Sequence, residues 1–99
     1  MTTYYIRKLG NDSNNGLSGS GAWETFLNAN NNMVAGDIVY IGEGDYTGGT
    51  NLQSWVYPQN SGNSGSYITY YGDKKGIYTG DAGDVIVEEI FPSSYIYVK

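Results

Sequence analysis

Five carboxylates, Glu43, Asp45, Asp73, Asp81 and Asp84, fall in turn-like stretches of this 99-residue chain. Paired carboxylates can hold calcium through their oxygens or act as acid and base on a glycosidic bond. Whether they meet depends on a near-repeat. "VYIGEGDYTG" at Val39–Gly48 returns as "TYYGDKKGIYTG" at Thr69–Gly80, lengthened only in the turn. If equivalent strands lie one above the other, Glu43 and Asp45 come near Asp73, which makes Asp45 and Asp73 calcium candidates. Lys74 and Lys75 beside Asp73 favour a solvated, locally neutralised turn instead. Asp12, Asn14 and Gly16 open a second candidate, the D-x-N-x-G start of a calcium loop. An EF-hand closes that loop with a glutamate and flanks it with helices, but here Trp23 stands at the closing position. A network of Asx turns is therefore the preferred reading of Asp12 and Asn14.

Other chemistry is excluded by composition. The chain has no histidine and no cysteine. It thus has no Ser-His-Asp or Cys-His set, no thiolate and no disulfide, and it lacks the usual general base near neutral pH. "GEGDYTGG" lacks the lysine and following helix of a phosphate loop. Net charge is -5 and only Arg7, Lys8, Lys74, Lys75 and Lys99 are basic, so a nucleic-acid partner is disfavoured. Arg7, the lone arginine, could clamp a carboxylate or phosphate, with a strand-edge charge the preferred reading. No apolar run approaches the roughly 20 residues of a membrane span, and no signal peptide is visible at the amino terminus. The sequence names no compartment.

Aromatic residues offer a different function. Tyr46, Trp55, Tyr57, Tyr71 and Tyr78 are candidate surface aromatics, on whose flat faces a sugar ring can stack. Trp55 and Tyr57 border the polar loop "PQNSGNSGS", where Asn60 could bond hydroxyls, so they form the preferred binding edge. Core filling is the competing reading for every one of these rings.

The elements that must position these groups are mostly strands. Eleven tyrosines and abundant threonine favour strands, while 15 glycines with many asparagines favour turns. Strands are expected over Thr3–Lys8, Asp37–Gly42, Tyr67–Tyr71, Val85–Phe91 and Tyr95–Val98, with shorter extended pieces at Gly44–Gly49, Leu52–Tyr57 and Ile77–Thr79. One helix is expected over Ala22–Met33, N-capped by Ser20 and ending near Asn30–Asn32, with Trp23, Phe26 and Leu27 on its apolar face. Strand, turn and repeat together predict stacked units, and so a solenoid in preference to a sandwich.

"YYIRKLGNDSNNGLS", "AWETFLNAN", "AGDIVYIGEGDYTG" and "NSGNSGSYITYYGDKKGIYTG" resemble the amino-terminal region of right-handed parallel β-helix proteins, among them pectate-lyase-like and chondroitinase-B-like polysaccharide lyases and viral tail proteins. The similarity covers Tyr4–Gly80. It implies a mostly β, short right-handed parallel β-helix in a single domain, 1–99. Residues 1–35 would supply a strand, a turn and the one capping α-helix, and residues 36–99 two to three coils. Alternate members of Ile38–Ile41, Ile68, Tyr70, Val85 and Val87 would face the core. The family's catalytic site lies on later coils, and no residue here matches it, so no catalytic residue is assigned.

The expected function is a non-catalytic binding or assembly module that holds a carbohydrate or similar small ligand. Its candidate ligand residues are Trp55, Tyr57, Tyr46, Tyr71 and Asn60. Self-association through Ile90, Phe91, Tyr95 and Tyr97 would cover an open final coil, making a homo-oligomer. The alternatives are a polysaccharide lyase or hydrolase completed across an oligomer interface, and a small viral protein that sequesters a host factor. No cofactor beyond a candidate calcium ion is expected.

Overall fold

The computed structural model describes all 99 residues, 1–99. Short runs of tyrosine, isoleucine and valine pair in parallel. β1 (Thr3–Ile6), β2 (Ile38–Ile41), β5 (Ile68–Gly72) and β8 (Ile96–Val98) form one sheet in the order β1-β2-β5-β8. β3 (Gly44–Asp45) pairs with β6 (Val85–Ile86), and β4 (Trp55–Val56) with β7 (Glu89–Ile90), again in parallel. Side chains alternate across the main sheet as the pleat requires. Ile6, Val39, Ile41, Ile68 and Tyr70 point inward and are buried with Phe26, Met33, Tyr46 and Val56 in one core. Burying a side chain such as Phe26 completely contributes about 1.5–3 kcal/mol.

The expected β-helical solenoid lidded by one capping helix is corrected here. The chain forms a small body measuring 32 × 25 × 25 Å, with strands of two to five residues and two short helices. The strands are short, and the connections between successive strands of the main sheet differ in length and in the elements they carry. The near-repeat itself is only partly structural. Aligned by sequence, Tyr40 would match Tyr70; in the sheet Tyr40 lies opposite Tyr71 and Ile41 opposite Gly72. A slip of one residue exchanges faces, so Tyr70 is fully buried while Tyr40 faces outward. The two Tyr-Thr-Gly copies also part company. Tyr46 enters the core beside β3, whose partner is β6, and Tyr78 stays outside.

The expected helix over Ala22–Met33 shrinks to α1 (Leu27–Asn32), and Ser20 does not cap it. Backbone pairing takes Trp23 instead. Its amide donates to the Tyr5 carbonyl, and its own carbonyl accepts from the Arg7 amide, which extends the sheet beyond β1. The Trp23 ring stacks on Tyr4 at 4.8 Å and its Nε1 donates to the Asn14 carbonyl. Gly16 lies against that ring with φ +74°, where any Cβ would collide with the indole. The Asp12 carboxylate accepts from the Glu24 and Thr25 amides and the Thr25 hydroxyl, so the segment before Leu27 bends before it turns helical.

A second helix, α2 (Asn51–Ser54), stands where an extended stretch is expected. The Thr50-x-x-Gln53 spacing carries its signal, since Gln53 Oε1 accepts from the Thr50 amide. The expected strand Val85–Phe91 breaks at Val87–Glu88, where the chain passes from β6 to β7.

Arg7 is not a free edge charge. Its Nε donates to Asp81 Oδ2 at 2.6 Å, its Nη2 to Oδ1 at 3.2 Å, and its Nη1 to the Gly19 carbonyl at 3.0 Å. This fork ties the first loop to the loop before β6. The hydrogen bond from Arg7 holds the Asp81 carboxyl below the usual carboxylate range. A folded pKa below the unfolded one stabilises above the unfolded value, about 3.9, and that contribution is lost as pH falls through the folded value. Urea unfolding of wild type should therefore lose an acid-sensitive increment below about pH 4 that Asp81→Asn lacks. At neutral pH that variant should be weaker by about 1 kcal/mol, because the pair is partly solvated.

Candidate functional site

The outward-facing residues of the main sheet form a tyrosine-rich surface. Tyr5, Tyr40 and Tyr71 share one row across β1, β2 and β5. Their rings lie 5.9 Å (Tyr5–Tyr40) and 5.3 Å (Tyr40–Tyr71) apart. Tyr78 lies flat on Tyr40, with centroids 3.8 Å apart and planes 9° from parallel. Burial under this stack raises the Tyr40 hydroxyl above its ordinary pKa, and the neighbouring Tyr78 adds to the effect. The neighbouring row is Thr3, Ile38, Thr69 and Tyr97. It floors an open groove of about 570 Å³ that Tyr40, Tyr67 and Ser66 also line. Tyr95 packs edge-on against Tyr67 at 5.6 Å. The Lys99 ammonium lies 5.1 Å from the Tyr71 ring and 5.4 Å from the Tyr97 ring. Seven of the eleven tyrosines thus gather on or beside one outer face: Tyr5, Tyr40, Tyr67, Tyr71, Tyr78, Tyr95 and Tyr97.

The Asp73 carboxylate positions this face. It is buried, and it accepts from the amides of Ile77, Tyr78 and Thr79 and from the Thr79 hydroxyl. The loop curls around it and presents Tyr78 to Tyr40.

The five expected ligand residues do not converge. Tyr46 is buried at 4 % exposure, packs against Phe26 and donates its hydroxyl to the Gly42 carbonyl, so it belongs to the core. Burial drives its pKa up, as it does for Tyr70. Asn60 donates to the Met33 carbonyl and its own carbonyl accepts from Ser93, so it braces a loop. Tyr71 belongs to the tyrosine face. Trp55 and Tyr57 remain together, 5.7 Å apart, and Phe91 joins them. Beside Tyr57 runs a shallow cleft of about 500 Å³ lined by Thr50, Asn51, Leu52 and Gln59.

The metal candidates also separate. Asp12 caps the Glu24–Thr25 bend, and Asn14 Nδ2 donates to the Ala22 carbonyl. Asp45 accepts from the Thr47 amide and hydroxyl, bonds that lower its pKa, and it lies opposite Ile86. Asp73 is encircled by its own loop. No three acidic side chains come together in a group that could hold a metal ion. The expected interface residues divide among three places, with Tyr95 and Tyr97 both at the tyrosine face. Ile90 lines an apolar opening with Val85, Val87 and Val98, Phe91 joins Trp55, Tyr95 joins Tyr67, and Tyr97 lines the groove.

Sequence reasoning missed Tyr5, Tyr40 and Tyr67 as members of this face, and it took Tyr97 for an oligomer-interface residue. The available signal was the period-two alternation in Thr3–Ile6 and Ile38–Ile41, which assigns every second residue outward once Ile6, Val39 and Ile41 are placed inward. No protein-family model matches the chain, and no curated protein or solved structure matches it. The resemblance to β-helix lyases therefore rests on the residues quoted for it above.

Proposed function

We propose that this protein is a non-catalytic binding module that holds a neutral saccharide along the outer face of the β1-β2-β5-β8 sheet. The observation that carries this reading is the gathering of tyrosine rings on that face, with Thr3, Thr69 and Ser66 set among them. A sugar presents apolar C–H faces and a rim of hydroxyls, and a concave surface of rings and hydroxyls complements both. Most of the carboxylates are already committed. Asp12, Asp37, Asp45 and Asp73 accept from backbone amides. Asp81 and Asp84 pair with Arg7 and Lys74. That commitment supports binding in preference to acid–base cleavage.

Calorimetric titration with a panel of neutral oligosaccharides tests the reading. At least one should bind saturably. Tyr97→Ala and Tyr67→Ala should each weaken it by about fivefold or more. Both side chains are about half exposed, so melting should hardly change. No saturable ligand, or unchanged affinity in both variants, contradicts the proposal.

A further inference from the structure

Trp55, Tyr57 and Phe91 form a second aromatic surface, on the β4–β7 ladder and separate from the tyrosine face. Parallel pairing sets Trp55 opposite Glu89 and Val56 opposite Ile90. Val56 is buried, so the alternate positions, Trp55 and Glu89, stand outward. The three rings lie 4.8–5.7 Å apart and are tilted 34–50° to one another. Tyr57 is 37 % and Phe91 45 % exposed. Glu88 turns its carboxylate to the rim, with Oε2 accepting from Trp55 Nε1 at 3.3 Å and Oε1 from the Gly48 amide at 2.8 Å.

Two negative groups thus border a continuous π surface in a chain of net charge -5. Elsewhere the protein supplies cations to its own rings: Lys8 sits over Tyr46, and Lys99 over Tyr71 and Tyr97. The Trp55 cluster is flanked by carboxylates where those clusters have lysines. We infer that Trp55, Tyr57 and Phe91, with Glu88 and Glu89, bind an alkylated ammonium group. Ring quadrupoles attract such a cation, and its alkyl shell makes removal from water inexpensive. A compact metal ion would need oxygen ligands that these rings do not provide. The group can come from a free choline-like solute or from a methylated lysine on another protein, and the chemistry at the rings is the same. This site is distinct from the saccharide face, so either can fail without the other.

Tryptophan emission of the full chain reads the event, because the only other tryptophan, Trp23, is buried at 4 % exposure. Tetramethylammonium and choline are titrated at constant ionic strength, alongside the uncharged isostere 3,3-dimethylbutanol. The ammonium ions should change the emission saturably and the alcohol should not. Tyr57→Ala should weaken binding about tenfold, and Glu89→Gln about threefold. Trp55→Phe should remove the signal while melting is retained. Tighter binding of a trimethyllysine peptide than of choline assigns the group to a protein, and the reverse order assigns it to a solute. A response to the alcohol equal to that for the ammonium ions overturns the inference. So does a response that stays linear throughout, or one that Tyr57→Ala and Glu89→Gln leave unchanged in folded protein.

Discussion

Asn30→Ala should lower the stability of this protein by roughly 3–5 kcal/mol, a large part of what a domain of this size possesses. Asn30 is fully buried on α1, and its amide makes four hydrogen bonds. Nδ2 donates to the carbonyls of Leu52 (2.8 Å) and Trp55 (2.9 Å). Oδ1 accepts from the Tyr57 amide (3.0 Å) and the Tyr70 hydroxyl (2.7 Å). One side chain thus joins α1 to the α2–β4 segment and to β5. Alanine would leave four polar groups without this partner, three of them partly buried and the Tyr70 hydroxyl fully buried, and each is costly. Urea denaturation at neutral pH measures the loss.

Asn30→Asp separates this explanation from simple loss of volume. The carboxylate keeps both acceptor bonds but faces two carbonyls without a proton to give them. Its folded pKa should therefore rise, with stability greatest below the unfolded carboxylate pKa and declining as pH rises. A loss under about 1 kcal/mol in Asn30→Ala would mean that the four bonds contribute little.

Asp73→Ala should cost about 2–4 kcal/mol, which for a chain of this length lowers the melting temperature by roughly 10–25 °C. The carboxylate is 1 % exposed and organises the loop carrying Tyr78. Without it the Ile77, Tyr78 and Thr79 amides lose their shared acceptor. Tyr78 should then leave Tyr40, visible as narrower and shifted Tyr78 ring resonances. Asp73→Asn, with one acceptor oxygen where the carboxylate has two, should fall between wild type and alanine. A melting shift of only a few degrees for Asp73→Ala, with the Tyr78 ring unmoved, would show that the loop is held by something else.

How far the sequence discloses this molecule depends on the range of the interaction concerned. Strands in Thr3–Ile6, Ile38–Ile41 and Ile68–Gly72 follow from local alternation and β-branched content, and they were legible. Their register was not. The Tyr-Thr-Gly echo suggested that Tyr40 matches Tyr70, whereas burial of Ile41 beside Gly72 sets Tyr40 against Tyr71. Turn chemistry cannot report a choice made by core packing. The helix start failed for a similar reason. Trp23 has the right spacing for a helix face, but backbone pairing with β1 and a cap from Asp12, distant in sequence, override propensity. In the sequence Asn30 is one of four asparagines, weak helix formers, within Asn28–Asn32, and only the folded contacts show its buried amide joining α1 to the α2–β4 segment and to β5.

The candidate site divides along the same line. Trp55 beside Tyr57 is a short-range fact, and it survives folding. The tyrosine face requires four strands distant in sequence to align; local alternation tells which side chains turn outward, not that they gather. The sequence already favoured Asx turns over a metal site for Asp12, and a solvated turn for Asp73, which is instead buried. Their amide partners, which were not legible, commit them to structure.

The most direct test of the central claim is a backbone and side-chain NMR titration with the tightest-binding neutral oligosaccharide. Saturable shifts are predicted at Thr3, Ile38, Ser66, Tyr67, Thr69 and Tyr97, with the resonances of Trp55 and Tyr57 unmoved. Shifts centred on Thr50–Gln59, or none at saturating sugar, would contradict a binding role for the tyrosine face.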